Sequence, residues 1–339
     1  MKHHIRWTPQ KITARLRLIT PLQHRKQHAI APFEYAKLEN AETDAILGTA
    51  GDALDWTTIP FNSYWGEWST NFMMRTTFTI PDDWEDDAPI VLYLPFGDAG
   101  DFVHPEALAY IDGQSYASVD RHHHEILLPD SMRDGQVHTL ELHGWTGLGG
   151  SLEAAAFPPK TQLFMSECYV VQIHQPTRDF VAKVRIVLEL ARLLPEENPV
   201  QGRLMNALDD AFIALDTRDP IGEDMFYDSL PSALATLQVG IDKAGEPLDV
   251  DIVGVGHAHI DVAWMWQLSQ TRRKAGRTFS NVLRIMEQFP EYHFSQSQAQ
   301  LYRYIEESYP DIFEQIKARV AEGRWEVILR KLLHNPQDI

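Results

Sequence analysis

The sequence predicts a multidomain protein with an N-terminal β-sandwich, a helical connector and then the first part of a parallel α/β domain of β/α-barrel-like type. Short strand-like runs separated by Gly, Pro and Asp fill residues 32–175, a pattern typical of a sandwich. From residue 176 to 248, apolar residues recur at steps of three and four, which indicates amphipathic helices. Across residues 249–339 strand-like and helix-like runs alternate, which is the order of a parallel sheet with crossover helices.

A basic N-terminal segment, residues 1–31, precedes the predicted sandwich. Residues 1–33 contain seven Lys and Arg and no acidic residue. Such a segment could be a transit peptide, but it lacks the serines that these peptides favour. The spacing of Ile12, Leu16 and Ile19 favours a terminal helix that packs on an acidic body.

Turn signals divide residues 32–175 into strands. A strand-like run at 73–80 ends at a Pro-Asp-Asp turn, the run at 90–96 is continuously apolar, and the run at 107–111 leads into Asp112-Gly113, a strong hairpin signal. The histidines at 122–124 are expected in a loop or strand edge, because consecutive strand residues point to opposite faces and cannot share a metal. Five tryptophans are interpreted as packing residues, with a sugar-binding face as the alternative: Trp56, Trp65, Trp68, Trp84 and Trp145.

The last segment contains too few strands for a complete α/β domain. We count no more than three strands in residues 251–339, whereas a closed β/α barrel takes about 250 residues. The sequence therefore predicts an incomplete domain. Its predicted elements are a fully buried strand at 252–256, a helix at 271–288, a strand at 292–295, helical residues 299–321 with a break at Pro310, and a strand at 324–328.

Composition excludes several classes of partner. The formal net charge is −18, and an acidic surface repels the phosphate backbone of nucleic acids. No apolar run is long enough to span a membrane. The single cysteine, Cys168, cannot form an intramolecular disulfide, which fits a reducing compartment and predicts a cytoplasmic location.

Three polar residues follow the apolar run "VGVG" in alternation. His257, His259 and Asp261 are each two residues apart, so their side chains project to one side of an extended backbone. In parallel α/β folds ligands bind beyond the carboxyl ends of the strands, which is where these residues fall. An imidazole and a carboxylate at this spacing suit a divalent metal, zinc most naturally, with at least one further ligand from elsewhere. The alternative is a polar strand end held by hydrogen bonds.

The segment around these residues resembles the start of the catalytic domain of glycoside hydrolase family 38 α-mannosidases, nearest their cytosolic and vacuolar-type branch. The resemblance covers residues 254–327 and rests on "GHAHIDVAWMW", with its His-x-Asp-x-x-Trp pattern, then "SQ" with an aromatic-rich helix, and then "GRWE". Residues 32–250 resemble more loosely the aromatic-rich β-domain and helical connector of that branch. The resemblance implies hydrolysis of terminal α-D-mannosyl residues on mannose-containing oligosaccharides, and a full-length relative could form a homo-oligomer.

The resemblance also implies roles for individual residues. His259 and Asp261 would ligate Zn²⁺, and Trp264 would form the wall of the sugar subsite. His257 is not a ligand in the family pattern and is expected to support the pair. The implied mechanism is retaining, with an Asp nucleophile and a second carboxyl that acts as acid and then as base.

The sequence departs from the family pattern after Val327. Glycines, a tryptophan and the nucleophilic Asp are expected there, but residues 328–339 read "ILRKLLHNPQDI". Asp338 lies near the expected position without the surrounding motif, so we assign it no role. The expectation is an N-terminal portion truncated after the start of the catalytic domain, with no catalytic residue and no activity of its own.

Two other functions fit parts of the pattern. An alternating His-x-His at the end of a first barrel strand also begins amidohydrolase-type metal hydrolases, which would need further His and Asp ligands. A non-catalytic carbohydrate-binding remnant would use the tryptophans of the sandwich. Trp264 and the pattern across 271–327 favour the mannosidase.

Overall fold

The structure, a computed structural model, describes residues 7–40, 43–67, 69–85, 87–97, 104–147, 163–245, 250–264 and 266–328. The chain divides into two compact units. One consists of Met1–Gln27, Trp84–Ile90 and Val171–Asp251, and the other of His28–Asp83, Val91–Val170 and Ile252–Ile339.

The described residues form both helices and strands. The α-helices are α1 Thr8–Ile19, α2 Gln175–Leu193, α3 Pro199–Ala214, α4 Asp224–Asp242, α5 Leu268–Gln288, α6 Ala299–Ser308 and α7 Pro310–Ala321. The strands are β1 His24–Ala29, β2 Phe33–Leu38, β3 Thr57–Ile59, β4 Ser63–Trp65, β5 Asn71–Phe78, β6 Ile90–Tyr93, β7 Glu106–Ile111, β8 Gln114–Val119, β9 Glu125–Leu128, β10 His138–Trp145, β11 Leu163–Met165, β12 Tyr169–Ile173, β13 Gly256–His257, β14 Phe294–Gln296 and β15 Trp325–Val327. This is the mixed, multi-unit architecture that the sequence predicts at the coarse level.

The first unit is a helical cluster of α1 to α4. The predicted N-terminal helix is confirmed as α1, and its apolar side chains belong to the same buried cluster as those of α2, α3 and α4. Lys11 forms an ion pair with Asp209 on α3, and Arg15 lies 3.7 Å from the same carboxylate. The basic face of α1 therefore packs on an acidic residue, as the sequence predicts.

The second unit contains a six-stranded antiparallel sheet in the order β3-β2-β5-β10-β7-β8. The hairpin predicted at Asp112-Gly113 is confirmed between β7 and β8, and both turn residues have positive φ, at 50° and 78°. β11 and β4 form a further antiparallel pair. The described residues also form a four-stranded sheet in the order β1-β12-β6-β9.

The tryptophans of the predicted sandwich are mostly packing residues. Trp65, Trp84 and Trp145 are buried, as the packing interpretation expects. Trp56 is half-buried, and the guanidinium of Arg75 lies 4.4 Å from the centre of its ring. Trp68 lies outside the described residues.

Gly144 of β10 lies between β5 and β7 in the six-stranded sheet. It is opposite Phe72 of β5 and Ala107 of β7. A Cβ on Gly144 would lie 2.3 Å from the Phe72 ring and 2.9 Å from the Ala107 Cβ. The sheet therefore has no room for a larger residue at this position.

We expect Gly144→Ala to lower the free energy of unfolding by about 1–3 kcal/mol, because overpacking shifts side chains and backbone. Urea unfolding of the variant and the unmodified chain measures this loss of stability. Gly254→Ala is the control, since a Cβ there has no atom within 4 Å. Equal urea midpoints for the two variants would show that β5 and β7 shift without cost to accommodate the extra methyl group.

The last segment forms a three-stranded parallel sheet in the order β13-β14-β15. The predicted helix at 271–288 is confirmed as α5, which begins at Leu268, and the predicted break at Pro310 separates α6 from α7. Phe279, Phe294 and Trp325 form the aromatic centre of its core, with ring centroids 4.7 to 6.4 Å apart.

The prediction of a fully buried strand at 252–256 is wrong. The paired strand is Gly256–His257, and the exposed fractions of Ile252, Val253 and Val255 are 87%, 85% and 52%. An apolar run becomes buried only where other elements cover it. Within the described part of the chain β13 pairs with β14 alone, so the residues before it remain uncovered.

Helix α5 packs against the six-stranded sheet of its unit. The amide of Gln270 donates to Asn71 Oδ1 (2.6 Å), and the backbone N–H of Ser118 donates to Asn281 Oδ1 (2.9 Å). Arg284 lies 4.6 Å from the ring centre of Tyr116. The segment after residue 252 is thus fixed to the β-strands along the length of its first helix.

Candidate functional site

The candidate site lies beyond the carboxyl end of β13. The strand pairs in parallel with β14 through Gly256↔Phe294 and His257↔Ser295. Ile260, between the two polar residues of interest, is 2% exposed and belongs to the apolar core. Because alternate residues of an extended segment point to opposite sides, burial of Ile260 leaves His259 and Asp261 on the exposed side.

His259 and Asp261 face each other. The Nε2 atom of His259 lies 3.2 Å from Oδ1 of Asp261, and their side chains are 73% and 49% exposed. Two tetrahedral ligands at zinc bond lengths of about 2.0–2.2 Å are about 3.3–3.5 Å apart. The donor atoms suit zinc and their separation is close to that range, although the same 3.2 Å contact is a hydrogen bond between the two side chains.

The described residues supply two such ligands and no more. Among them, no group of three or more His, Cys, Asp and Glu side chains could hold a metal ion. A structural or catalytic zinc site needs three or four protein ligands, so the pair constitutes part of a site.

Two glutamines, one at the end of β14 and one just after it, fix the backbone that carries the pair. Gln298 bonds both backbone groups of Ile260, donating to the carbonyl (2.8 Å) and accepting from the N–H (3.3 Å). Gln296 is fully buried and donates to the carbonyl of Ala258 (2.6 Å). Sequence reasoning missed both residues, although "SQSQ" at 295–298 alternates after a strand just as "HAHID" does.

Trp264 lies three residues beyond Asp261 and is 45% exposed. Its ring meets that of Trp266 edge to face, with centroids 5.1 Å apart. The indole N–H of Trp266 donates to the backbone carbonyl of Asp261 (3.2 Å). The turn between them places Ala263 at φ 53°, a backbone conformation that is uncommon for a residue with a Cβ. Trp264 therefore presents an aromatic surface on the same turn as the pair.

His257 is held by the neighbouring strand. Its Nδ1 atom lies 2.9 Å from the carbonyl oxygen of Ser295, and the side chain is exposed. This contact ties the imidazole to β14. The expected supporting role of His257 stays a prediction.

Parallel strands with polar side chains beyond their carboxyl ends are typical of α/β enzymes. Residues 249–332 match the family model of the glycosyl hydrolases family 38 N-terminal domain. Over these residues the chain is similar to the family 38 glycosyl hydrolases, and the curated relatives that match it there are α-mannosidases.

Three curated α-mannosidases illustrate the extent of the similarity. Alpha-mannosidase G of Dictyostelium discoideum is 42% identical over 71 residues, which are 21% of this chain and 6% of that protein. Alpha-mannosidase of Saccharomyces cerevisiae is 41% identical over 66 residues, 20% of this chain and 6% of that protein. Alpha-mannosidase 2C1 of Homo sapiens is 25% identical over 271 residues, 78% of this chain and 24% of that protein. The matched segments thus span from 6% to 24% of these relatives.

A solved structure of a β-glucuronidase from Ruminococcus gnavus matches 44% of this chain and 29% of its own at 14% identity, with a TM-score of 0.27, which is too low to inform fold or function. Of the helices in the described residues, none combines the length and the apolar character needed to cross a membrane.

Proposed function

We propose that this chain supplies the first zinc ligands and part of the sugar subsite of a family 38 α-mannosidase, which hydrolyses terminal α-D-mannosyl residues with retention. The observation that carries the proposal is the exposed His259–Asp261 pair, held 3.2 Å apart at the carboxyl end of β13. The pair lies inside the segment that matches the family. The substrates would be mannose-containing oligosaccharides.

Each residue has a specific task in this proposal. Nε2 of His259 and Oδ1 of Asp261 would hold the metal. Zinc, when bound there, would supply positive charge that attracts sugar hydroxyl oxygens. Trp264 would pack its exposed face against the sugar ring, since indole surfaces bind the apolar faces of pyranoses. His257 would support the strand end through its contact with Ser295.

A retaining glycosidase also needs two carboxyl groups about 5–5.5 Å apart, a nucleophile and an acid/base. We assign neither role to a described residue, and Asp338 lies outside the described residues. The proposal therefore includes inactivity of this chain by itself. For the architecture, it includes a β-sandwich followed by the start of a β/α barrel. It also includes a cytoplasmic location and no nucleic-acid or membrane partner. A full-length relative would form a homo-oligomer.

The alternatives have less support. An amidohydrolase-type site would use His257 beside His259 as a ligand, whereas the pair that the structure brings together is His259 and Asp261. A carbohydrate-binding remnant would use exposed tryptophans of the sandwich. Trp65 and Trp145 are buried, and Arg75 covers the ring of Trp56.

Turnover of an aryl α-mannoside by the purified chain with Zn²⁺ tests the proposal that this chain holds zinc ligands but no catalytic residues. We expect the chain to hydrolyse the mannoside no faster than the His259→Ala variant does, because the proposal places no nucleophile and no acid/base among the described residues. Hydrolysis above background that His259→Ala removes would show that the chain holds a complete catalytic set.

A further inference from the structure

Thr271, in the first turn of α5, is fully buried against the turn that carries Asp261 and Trp264. Its hydroxyl oxygen accepts a hydrogen bond from the backbone N–H of Ala263 (3.2 Å) and from the indole N–H of Trp266 (3.1 Å). The same hydroxyl donates to the backbone carbonyl of Asp261 (3.4 Å). One side chain therefore contacts the turn at three points.

These three contacts use the full capacity of a hydroxyl group, which has one donor and two acceptor lone pairs. They also lie where the turn needs support, because Ala263 adopts a positive φ of 53°. A buried polar group that is fully satisfied rigidifies its surroundings, whereas its loss leaves the backbone N–H of Ala263 without its acceptor.

The helix that presents Thr271 is itself fixed to the β-strands of the same unit. Gln270 bonds Asn71 on one side of Thr271. On the other side Lys274 bonds both carboxylate oxygens of Glu106 (2.8 and 3.0 Å). The Lys274 ammonium lies 5.5 Å from the ring centre of Trp266. The first turns of α5 thus connect the sheet to the turn of the candidate site.

We propose that Thr271 is a positioning residue for the His259–Asp261 pair, fixing the turn through Asp261, Ala263 and Trp266 on a helix that the β-strands hold in place. The functional part of this inference rests on the proposed metal site. The contacts of Thr271 with the turn do not, so they can be tested without metal or substrate.

Hydrogen exchange in the full chain tests the positioning directly. Thr271→Val keeps the shape of the side chain and removes the hydroxyl, so exchange of the Ala263 amide is expected to accelerate about tenfold as its hydrogen bond is lost. Thr271→Ser keeps the hydroxyl and is expected to restore protection. Ser280→Ala is the matched control, since Ser280 is also buried on α5 but donates to Arg277 within the helix.

Three exchange results would overturn the inference: unchanged exchange at Ala263 in Thr271→Val, equal acceleration in Ser280→Ala, or no rescue by Thr271→Ser. A second readout addresses the pair itself. Zn²⁺ affinity is expected to fall about 10–100-fold in Thr271→Val and to stay unchanged in Ser280→Ala. Unaltered affinity in Thr271→Val would also overturn it. If the unmodified chain takes up no zinc, the proposed metal site fails, and the exchange results alone decide the role of Thr271.

Discussion

Replacing Glu106 with glutamine is expected to lower the free energy of unfolding by about 3–5 kcal/mol, because it leaves the buried charge of Arg277 and the part-exposed charge of Lys274 uncompensated. The carboxylate of Glu106 is 14% exposed and contacts Lys274 at 2.8 Å and Arg277 at 3.0 Å. The Arg277 side chain is 7% exposed. Glutamine keeps the size of the side chain but cannot neutralise two neighbouring cations.

The stabilisation by Glu106 depends on pH in a defined direction. Burial by itself would raise the pKa of Glu106, but the charges of Arg277 and Lys274, with a hydrogen bond from Lys274, lower it below the ordinary value. A carboxyl whose folded pKa is depressed contributes stability above its unfolded pKa, about 4.3, and loses it as pH falls through the folded pKa. Glu106→Gln should therefore be far less stable than the unmodified chain at pH 7, with the difference shrinking in acid.

Urea unfolding at pH 7 and at decreasing pH measures both effects. Glu307→Gln is the matched control, since Glu307 also contacts two arginines, Arg272 at 2.9 Å and Arg303 at 2.8 Å, but on the surface. Solvent screens such pairs, so little change is expected. Equal destabilisation by the two substitutions would contradict a special role of the buried carboxylate between the sheet and α5.

Much of the fold follows from local signals. The helix around Ile12, the hairpin at Asp112-Gly113 and the break at Pro310 were all predictable, because each depends on neighbouring residues. The packing of α5 on the sheet was not, since Glu106 and Lys274 are 168 residues apart in sequence. Nor was the exposure of Ile252, because an apolar run cannot indicate which elements cover it.

The candidate site divides in the same way. His259 and Asp261 were predictable because two-residue spacing after a strand places both side chains on one side. The supporting residues Gln296 and Gln298 lie at and just after the end of a different strand, so only their own alternation could have indicated them. Thr271 has no such signal. A threonine in a helix is ordinary, and its three contacts with the turn become visible only in three dimensions.

Removing either member of the pair is expected to abolish specific zinc binding, since a site with so few protein ligands retains little affinity after losing one. His259→Ala removes the imidazole and Asp261→Asn removes the charge while keeping the shape of the side chain. His293→Ala is the control, because His293 is also exposed but contacts the carbonyl of Glu291. His257→Ala separates the mannosidase assignment from the amidohydrolase alternative.

Titration of the purified chain with Zn²⁺, with cobalt absorption as the spectroscopic readout, tests this central claim most directly. The account predicts binding at the pair, weaker than at a complete zinc site, that is lost in His259→Ala and in Asp261→Asn and kept in His257→Ala and His293→Ala. Zinc binding that survives both substitutions at the pair, or that disappears in His257→Ala as completely as in His259→Ala, would contradict it.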